Sequence, residues 1–351
     1  MIDALLIIVA VIDFSYLIIL IFGSLPYDKI EIKKLGKVSV IIAAREGKIV
    51  ENTLKSLKKV KSPKLEIIVV TNSKETADIA RKYTNKVLMD KGIGKGAALN
   101  SAVKKTTCKI LYFLDEDNTV MADTVIKVCS ALNGNEVSIG YNRPHNNRNF
   151  AQRVAGLYIC TLMKMQYCGY KLAGTTLVPA RNFAIYKSTL KKLGGFRNVL
   201  TEDVELSTRI FKANKKVKFV NAIGFEQMPS RFNWYVKQQQ RWLVGAYESI
   251  NKDKKDFSRI GLFSLYLILF IAFLAPLSLL SIILAIALGR VLILSIAIVG
   301  FIICASSLHR FNKDDLHMLP VTFCIFIVLQ TYSIIYAVVK KPKEWYRTPK
   351  E

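Results

Sequence analysis

Apolar residues gather at the two ends of the chain, and between them short apolar runs alternate with helical amphipathic stretches. The run from Ile2 to Phe22 is long enough to cross a hydrocarbon core of roughly 30 Å at about 1.5 Å per residue. The acidic Asp3 and Asp13 within it, and the absence of an A-x-A pattern in "GSLPYDKI", speak for a retained anchor over a cleaved signal peptide. At the other end, Ile260 to Leu308 is broken only by Pro276 and Gly289-Arg290, and a further apolar run covers Met318 to Val339. These patterns predict a transmembrane helix in 1–25, a globular domain in 26–257, two or three transmembrane or interfacial helices in 258–340, and a basic tail in 341–351.

In the centre, "VSVIIAA" at 38–44 and "LEIIVV" at 65–70 read as strands buried on both faces. "KIVENTLKSLKKV" after the first places Ile49, Leu54, Leu57 and Val60 on one helical face, and "ETADIARKY" follows the second as another helix. "KILYFLDED" is a third strand, ending in acids. Strand and helix alternating in this way predict an α/β domain, a Rossmann-like and mostly parallel sheet with helices on its faces. Ligands then bind at the carboxyl ends of the strands. Those ends are polar: Arg45 and Glu46, then Thr71, Asn72 and Ser73, then Asp115, Glu116 and Asp117. No G-x-G-x-x-G follows the first strand and no P-loop motif occurs, which argues against a dinucleotide site and excludes a Walker phosphate site.

Composition sharpens the division. A chain of 351 residues that is 52% hydrophobic, with mean hydropathy +0.28 and net charge +25, belongs in contact with lipid. Most Lys and Arg lie in 27–257, with "YDKIEIKKLGK" directly after the first apolar run, so the positive-inside rule puts the domain in the cytoplasm of a multi-pass cell-membrane protein. The basic tail favours the same side, so that either the stretch around Pro276 lies in the interface or re-enters, or the rule fails here. A basic surface beside anionic headgroups accounts for the charge. No nucleic-acid recognition motif accompanies it, so no nucleic-acid partner is expected. The six cysteines show no C-x-x-C spacing and read as reduced or buried thiols.

Four stretches carry chemistry. In "LDED" alternate residues point the same way, so Asp115 and Asp117 share a side where two carboxylates suit Mg2+ or Mn2+; a solvated acidic turn is the competing reading. "DKGIGKGAALN" at 90–100 combines three close glycines with Lys95 ahead of a helix, an arrangement that favours an anion; a flexible loop would look alike. In "LTEDVELSTRIF" Thr201 is placed to cap a helix whose first turn is acidic, and Asp203 is placed to serve as a general base. "QQQRW" at 238–242 sets Gln238, Arg241 and Trp242 on one helical face, with a guanidinium fork for phosphate and an indole on which a sugar can stack. An interfacial anchor would use the same residues.

The order of these pieces resembles family 2 glycosyltransferases, specifically the membrane-embedded branch that includes cellulose, chitin, hyaluronan and poly-N-acetylglucosamine synthases. The resemblance runs from about residue 36 to the tail, where "EWYRTPK" is similar to a W-x-x-T-x-K ending. It implies a GT-A fold and a nucleotide-diphosphate sugar donor, with Glu46 and Asn72 at the nucleotide, and Lys95, Asp115 and Arg241 at the diphosphate. It further implies Asp115 and Asp117 at a metal, Asp203 as base, and Glu202, Gln238 and Trp242 at the acceptor. Inversion to a β-linkage goes with it.

There are departures. "VVTNSKETAD" offers Asn72 where relatives carry an Asp pair, which opens the question of uridine or guanosine. "AAREG" stands where "PxYNE" is common, and "PARNFAIYK" brings Arg181 and Asn182 toward acceptor recognition. The expected activity is synthesis of a β-linked polysaccharide or oligosaccharide at the membrane, on a saccharide or lipid-linked acceptor. The alternatives are transfer of a single sugar to a membrane lipid and a non-catalytic membrane subunit.

Overall fold

The computed structural model describes residues 2–145, 149–252 and 259–340. The expectations for the tail 341–351 lie outside the described residues.

A long helix, α1 (Ile2–Phe22), leads into β1 (Val38–Ala43), α2 (Gly47–Lys58), β2 (Leu65–Thr71), α3 (Lys74–Arg81), β3 (Lys86–Met89), α4 (Lys95–Lys105) and β4 (Ile110–Asp115). The strand–helix alternation read from the sequence is present, with β3 added to it. β1 pairs in parallel with both β2 and β4, and β2 with β3. Alternate residues of one strand reach opposite cores: Val38, Val40 and Ile42 pack on one side with α2, and Ile41 on the other. That two-sided burial is why these strands are continuous apolar runs.

The second half is a mixed sheet. β5 (Asn118–Val120), α5 (Thr124–Ser130), β6 (Val137–Pro144), α6 (Phe150–Ala173), β7 (Phe183–Tyr186), α7 (Lys187–Lys192), α8 (Glu202–Lys212) and β8 (Val217–Glu226) follow in the chain. The full order is β3-β2-β1-β4-β7-β6-β8-β5, with β7 antiparallel to both neighbours. A bulge between Ile139 and Tyr141 interrupts the β6–β8 register. Asn182 fills the gap with positive φ (53°), accepting from the Tyr112 hydroxyl at 2.7 Å and donating to the carbonyls of Tyr141 and Ala222 at 3.1 Å. Asn182 is thus used inside the sheet, which corrects the expectation that it faces an acceptor.

α9 (Phe232–Lys252), α10 (Arg259–Leu288), α11 (Ser295–Phe311) and α12 (Leu319–Val339) complete the chain. α10 continues through Pro276 and ends at Gly289, whose φ is +60°. Among the described residues, Val291–Phe311 and Lys313–Val339 are long and apolar enough to cross a membrane; Leu6–Phe22 and Phe273–Leu288 are shorter apolar helices. One apolar cluster runs from the sheet through α6 into α11 and α12, so the domain is packed directly on these helices. Arg310 locks the exit of α1, donating to the carbonyls of Gly23 (2.8 Å) and Leu25 (2.9 Å) with its guanidinium over the Tyr27 and Tyr167 rings. Asp13 on α1 accepts from the Ser295 hydroxyl at 2.6 Å, so its acid ties α1 to α11.

Glu66 is the buried polar anchor of the parallel half. It accepts from the Ser39 hydroxyl, from Lys86 at 2.5 Å, and from the backbone and hydroxyl of Thr107 at 3.0 and 2.7 Å. Burial pushes its carboxyl pKa up, but Lys86, Ser39 and Thr107 outweigh that and hold it well below the usual carboxylate range. A lowered folded-state pKa stabilises above the unfolded value and is lost as pH falls. Glu66→Gln therefore destabilises by about 1.5–3 kcal/mol at pH 7, the size of a hydrogen bond to a charged group. The gap to wild type in thermal melts should narrow as pH drops below about 4; a gap that widens in acid would contradict this account.

Candidate active site

The carboxyl ends of β1, β2 and β4 and the amino ends of α4 and α8 meet in one cleft, and the local chain explains how each side chain is aimed. At the end of β1, the backbone N–H groups of Arg45 and Glu46 donate to Glu116 Oε2 at 2.6 and 2.8 Å. The Thr53 hydroxyl donates to the Glu116 carbonyl at 2.6 Å. The middle acid of "LDED" is thereby turned into the β1–α2 junction, away from Asp115 and Asp117. Glu46 occupies the position preceding α2 and does not cap it through its side chain.

The glycine loop packs tightly between two amides. Gly92 has φ +68°, and a Cβ there would come within 2.9 Å of Asn72 Nδ2. At Gly94 a Cβ would overlap Asn198 Oδ1 at 2.0 Å. Asn72 itself is exposed at the end of β2. The loop delivers Lys95 to the start of α4, where its Nζ lies 2.7 Å from Asp115 Oδ1 and 2.9 Å from Glu202 Oε1. This pairing joins the acid strand end to α8. Burial works against the Lys95 ammonium, but Asp115 and Glu202 outweigh it and raise its pKa. Burial raises the Glu202 carboxyl, Lys95 pulls it back, and Asp203 adds to the rise, so the net shift is upward. Glu202, expected beside the acceptor, is only 4% exposed and sits against this lysine.

Asp203 is partly exposed and held by backbone alone: Oδ1 accepts from Val204 N at 2.8 Å and Oδ2 from Ala180 N at 3.3 Å. Thr201 precedes α8, yet its side chain makes no cap and lies 3.4 Å from the Ser249 hydroxyl of α9. The expected Thr201 cap is therefore replaced by a contact between two helices.

α9 brings the last group. Gln239 accepts from Gln330 Nε2 at 3.3 Å, and Gln240 donates to the Lys340 carbonyl, so two of the three amides bind α9 to α12. Gln238 is buried at 5% exposure. Burial lowers the Arg241 guanidinium pKa; Glu202, Asp203 and Asp115 oppose that, Arg181 adds to it, and the net shift is downward. Trp242 is half-buried, with the Tyr158 ring 6.0 Å from it and the Arg181 guanidinium 5.6 Å from its centroid. Arg181 Nε in turn lies 3.0 Å from Glu226 Oε2 at the end of β8. Burial lowers the Arg181 pKa, but Glu226, Asp115, Asp203 and Asp117 overcome it and raise it.

Lys95, Asp115, Asp117, Asp203, Glu202, Arg241 and Trp242 thus fall in one neighbourhood together with Glu116 and Arg181, and the structure adds Glu226 and Tyr158. Glu226 had one sequence signal, its place at the end of a strand: it pairs in β-register with Asn118, directly after the acid turn. Tyr158 had none.

Comparison with known proteins accords with this geometry. Residues 110–311 match a family model described as glycosyl transferase family group 2. A probable glycosyltransferase, YdaM of Bacillus subtilis (strain 168), is 29% identical over 258 residues, covering 68% of this chain and 61% of that protein. A poly-beta-1,6-N-acetyl-D-glucosamine synthase of Staphylococcus epidermidis is 23% identical over 262 residues, covering 71% of this chain and 64% of the relative. The match therefore spans less than two thirds of these relatives. Among solved structures, the mannosyltransferase PcManGT from Pyrobaculum calidifontis, in complex with GDP-Man and Mn2+, superposes with TM-score 0.66 at 18% identity, covering 97% of this chain and 100% of that one. At that identity the likeness shows the fold, which is the GT-A arrangement expected from the motifs.

Proposed function

The chain belongs to glycosyl transferase family group 2, and on that premise we propose that it transfers a sugar from a nucleotide-diphosphate donor, with inversion, to an acceptor hydroxyl at the membrane face. The observation that carries this reading is the ion-paired core in which Lys95 bridges Asp115 and Glu202 beside the partly exposed Asp203.

Glu46 and Asn72 stand at the nucleotide end. Lys95 and Arg241 face the diphosphate, whose charge each offsets. Asp115 and Asp117 would suit a divalent ion, Mg2+ or Mn2+, as two carboxylates either side of Glu116, which is itself spent on the backbone of Arg45 and Glu46. Among the described residues no group of three or more His, Cys, Asp or Glu is arranged to hold a metal, so donor oxygens and water would complete the shell. Such an ion supplies charge neutralisation at the leaving diphosphate. Asp203 accepts the hydroxyl proton as the acceptor oxygen bonds to the anomeric carbon; the bond to the diphosphate breaks, and the nucleoside diphosphate leaves.

The synthase relatives support a β-linked polymer or oligosaccharide as product. The placement of Arg181 over Trp242 favours a second reading, a single sugar added to a lipid-borne acceptor, because the ring face that a glycan chain would use is covered. In both readings the domain lies on the cytoplasmic side, next to the lipid, with α9 tied to α12.

The test is purified full-length protein in detergent with Mg2+ or Mn2+, a panel of UDP- and GDP-sugars and a membrane lipid extract. Release of nucleoside diphosphate from one donor is the expected result. A product ladder would mark a synthase and one labelled lipid a single transfer. Absence of release with every donor and both metals would overturn the proposal.

A further inference from the structure

Two buried arginines of this domain are held in different ways. Arg209 spends its whole guanidinium on the protein, donating Nε and Nη2 to Glu205 at 2.8 and 2.6 Å and Nη1 to the Leu193 carbonyl. Arg181 is held differently. Glu226 lies 3.0 Å from its Nε, and among the described residues its two terminal NH2 groups make no hydrogen bond. Its side chain is 11% exposed, and besides Glu226 the acids Asp115, Asp203 and Asp117 of the site act on its charge. The planar end of a buried guanidinium whose NH2 groups make no hydrogen bond offers a bidentate fork to an oxyanion.

The fork also occupies the platform. With Arg181 5.6 Å over Trp242 and Tyr158 against the same indole, a neutral sugar ring cannot stack there without displacing a buried cation from its ion pair. An acceptor bearing an anion beside its attacking hydroxyl would instead use both groups at once, the oxyanion on Arg181 and the hydroxyl toward Asp203. Resting on the function proposed above, we propose that Arg181, braced by Glu226, is the specificity-determining residue of the acceptor subsite and reads a phosphate carried close to the attacking hydroxyl. The phosphate is either part of a lipid headgroup or part of a soluble sugar phosphate.

The test uses the full chain, the active donor, and paired acceptors that differ in the phosphate: methyl glucoside against glucose 1-phosphate in solution, and diacylglycerol against phosphatidylglycerol in vesicles. Wild type should favour the phosphate-bearing member of one pair, and which pair identifies the source. Arg181→Gln should lower kcat/KM for that member roughly ten- to hundredfold more than for its neutral counterpart, the size of one charge-assisted hydrogen bond. Arg181→Lys should restore part of the preference. The double variant Arg181→Gln with Glu226→Gln removes the stranded carboxylate, so a loss of preference there is independent of misfolding. Equal falls for both members, a preference that survives in the double variant, or wild-type preference for neutral acceptors would each overturn the proposal. A loss that appears only as a raised KM for the donor would assign Arg181 to the donor diphosphate and also overturn it. Failure to release nucleoside diphosphate from any donor would bring down the functional reading itself, an outcome distinct from turnover that ignores Arg181.

Discussion

Asp203→Asn should lower sugar transfer by about 10²–10⁴-fold, the contribution of a positioned general base, while donor affinity stays within a fewfold of wild type. The expectation comes from how little holds this side chain. Two backbone N–H groups aim it, at 2.8 and 3.3 Å, and the lysine that neutralises its neighbours is paired to Asp115 and Glu202 instead. Asn keeps the shape and can still accept from Val204, so the helix start is preserved, but it cannot take a proton. The residues proposed to meet the donor, Lys95, Asp115 and Arg241, are untouched. Titrating nucleoside diphosphate binding by calorimetry alongside turnover separates the two quantities. Undiminished turnover would remove Asp203 from the base role; parallel loss of binding and turnover would make it a donor residue.

The parallel half of the sheet was legible in the sequence because burial on both faces forces β1, β2 and β4 into unbroken apolar runs. Part of the site was legible for a related reason: strand ends are where a parallel sheet aims polar side chains, so Glu46, Asn72 and Asp115 could be grouped without coordinates, whereas Lys95 and Asp203 joined them only through the resemblance to family 2 glycosyltransferases. The antiparallel half was hidden. β5 spans only three residues, and β6 carries a bulge that Asn182 repairs from the bend before β7. α6 escaped because it is buried nearly all round, between the sheet and the apolar helices α10 to α12, and so lacks the polar face that makes a helix visible. Thr201 looked like a cap because the competing Ser249 lies on α9, far along the chain. Arg181 stood out only as a departure from the family pattern; its pairing with Glu226 and Trp242 joins three elements that nothing local connects.

The last expected result concerns Lys95→Met, which should cost both stability and donor affinity, and a second substitution should separate the two. In wild type the ammonium lies between Asp115 at 2.7 Å and Glu202 at 2.9 Å. Removing it leaves two carboxylates facing each other, one of them only 4% exposed. Breaking a buried pair in this way destabilises by about 3–5 kcal/mol, and the low end applies because the Lys95 side chain is 24% exposed. The pH dependence has a definite sign. Burial already raises the Glu202 carboxyl pKa with the lysine present, and without the lysine it rises further. A carboxyl raised in the folded state contributes stability below its unfolded pKa and loses it as pH climbs. The melting deficit of the variant should therefore be larger at pH 8 than at pH 5. Adding Glu202→Gln removes one of the opposed charges and should recover most of the stability. Donor affinity should stay low, by about 10- to 150-fold, because the double variant still lacks the cation that meets the diphosphate. Recovery of donor affinity together with stability would mean that Lys95 serves only to hold β4 against α8.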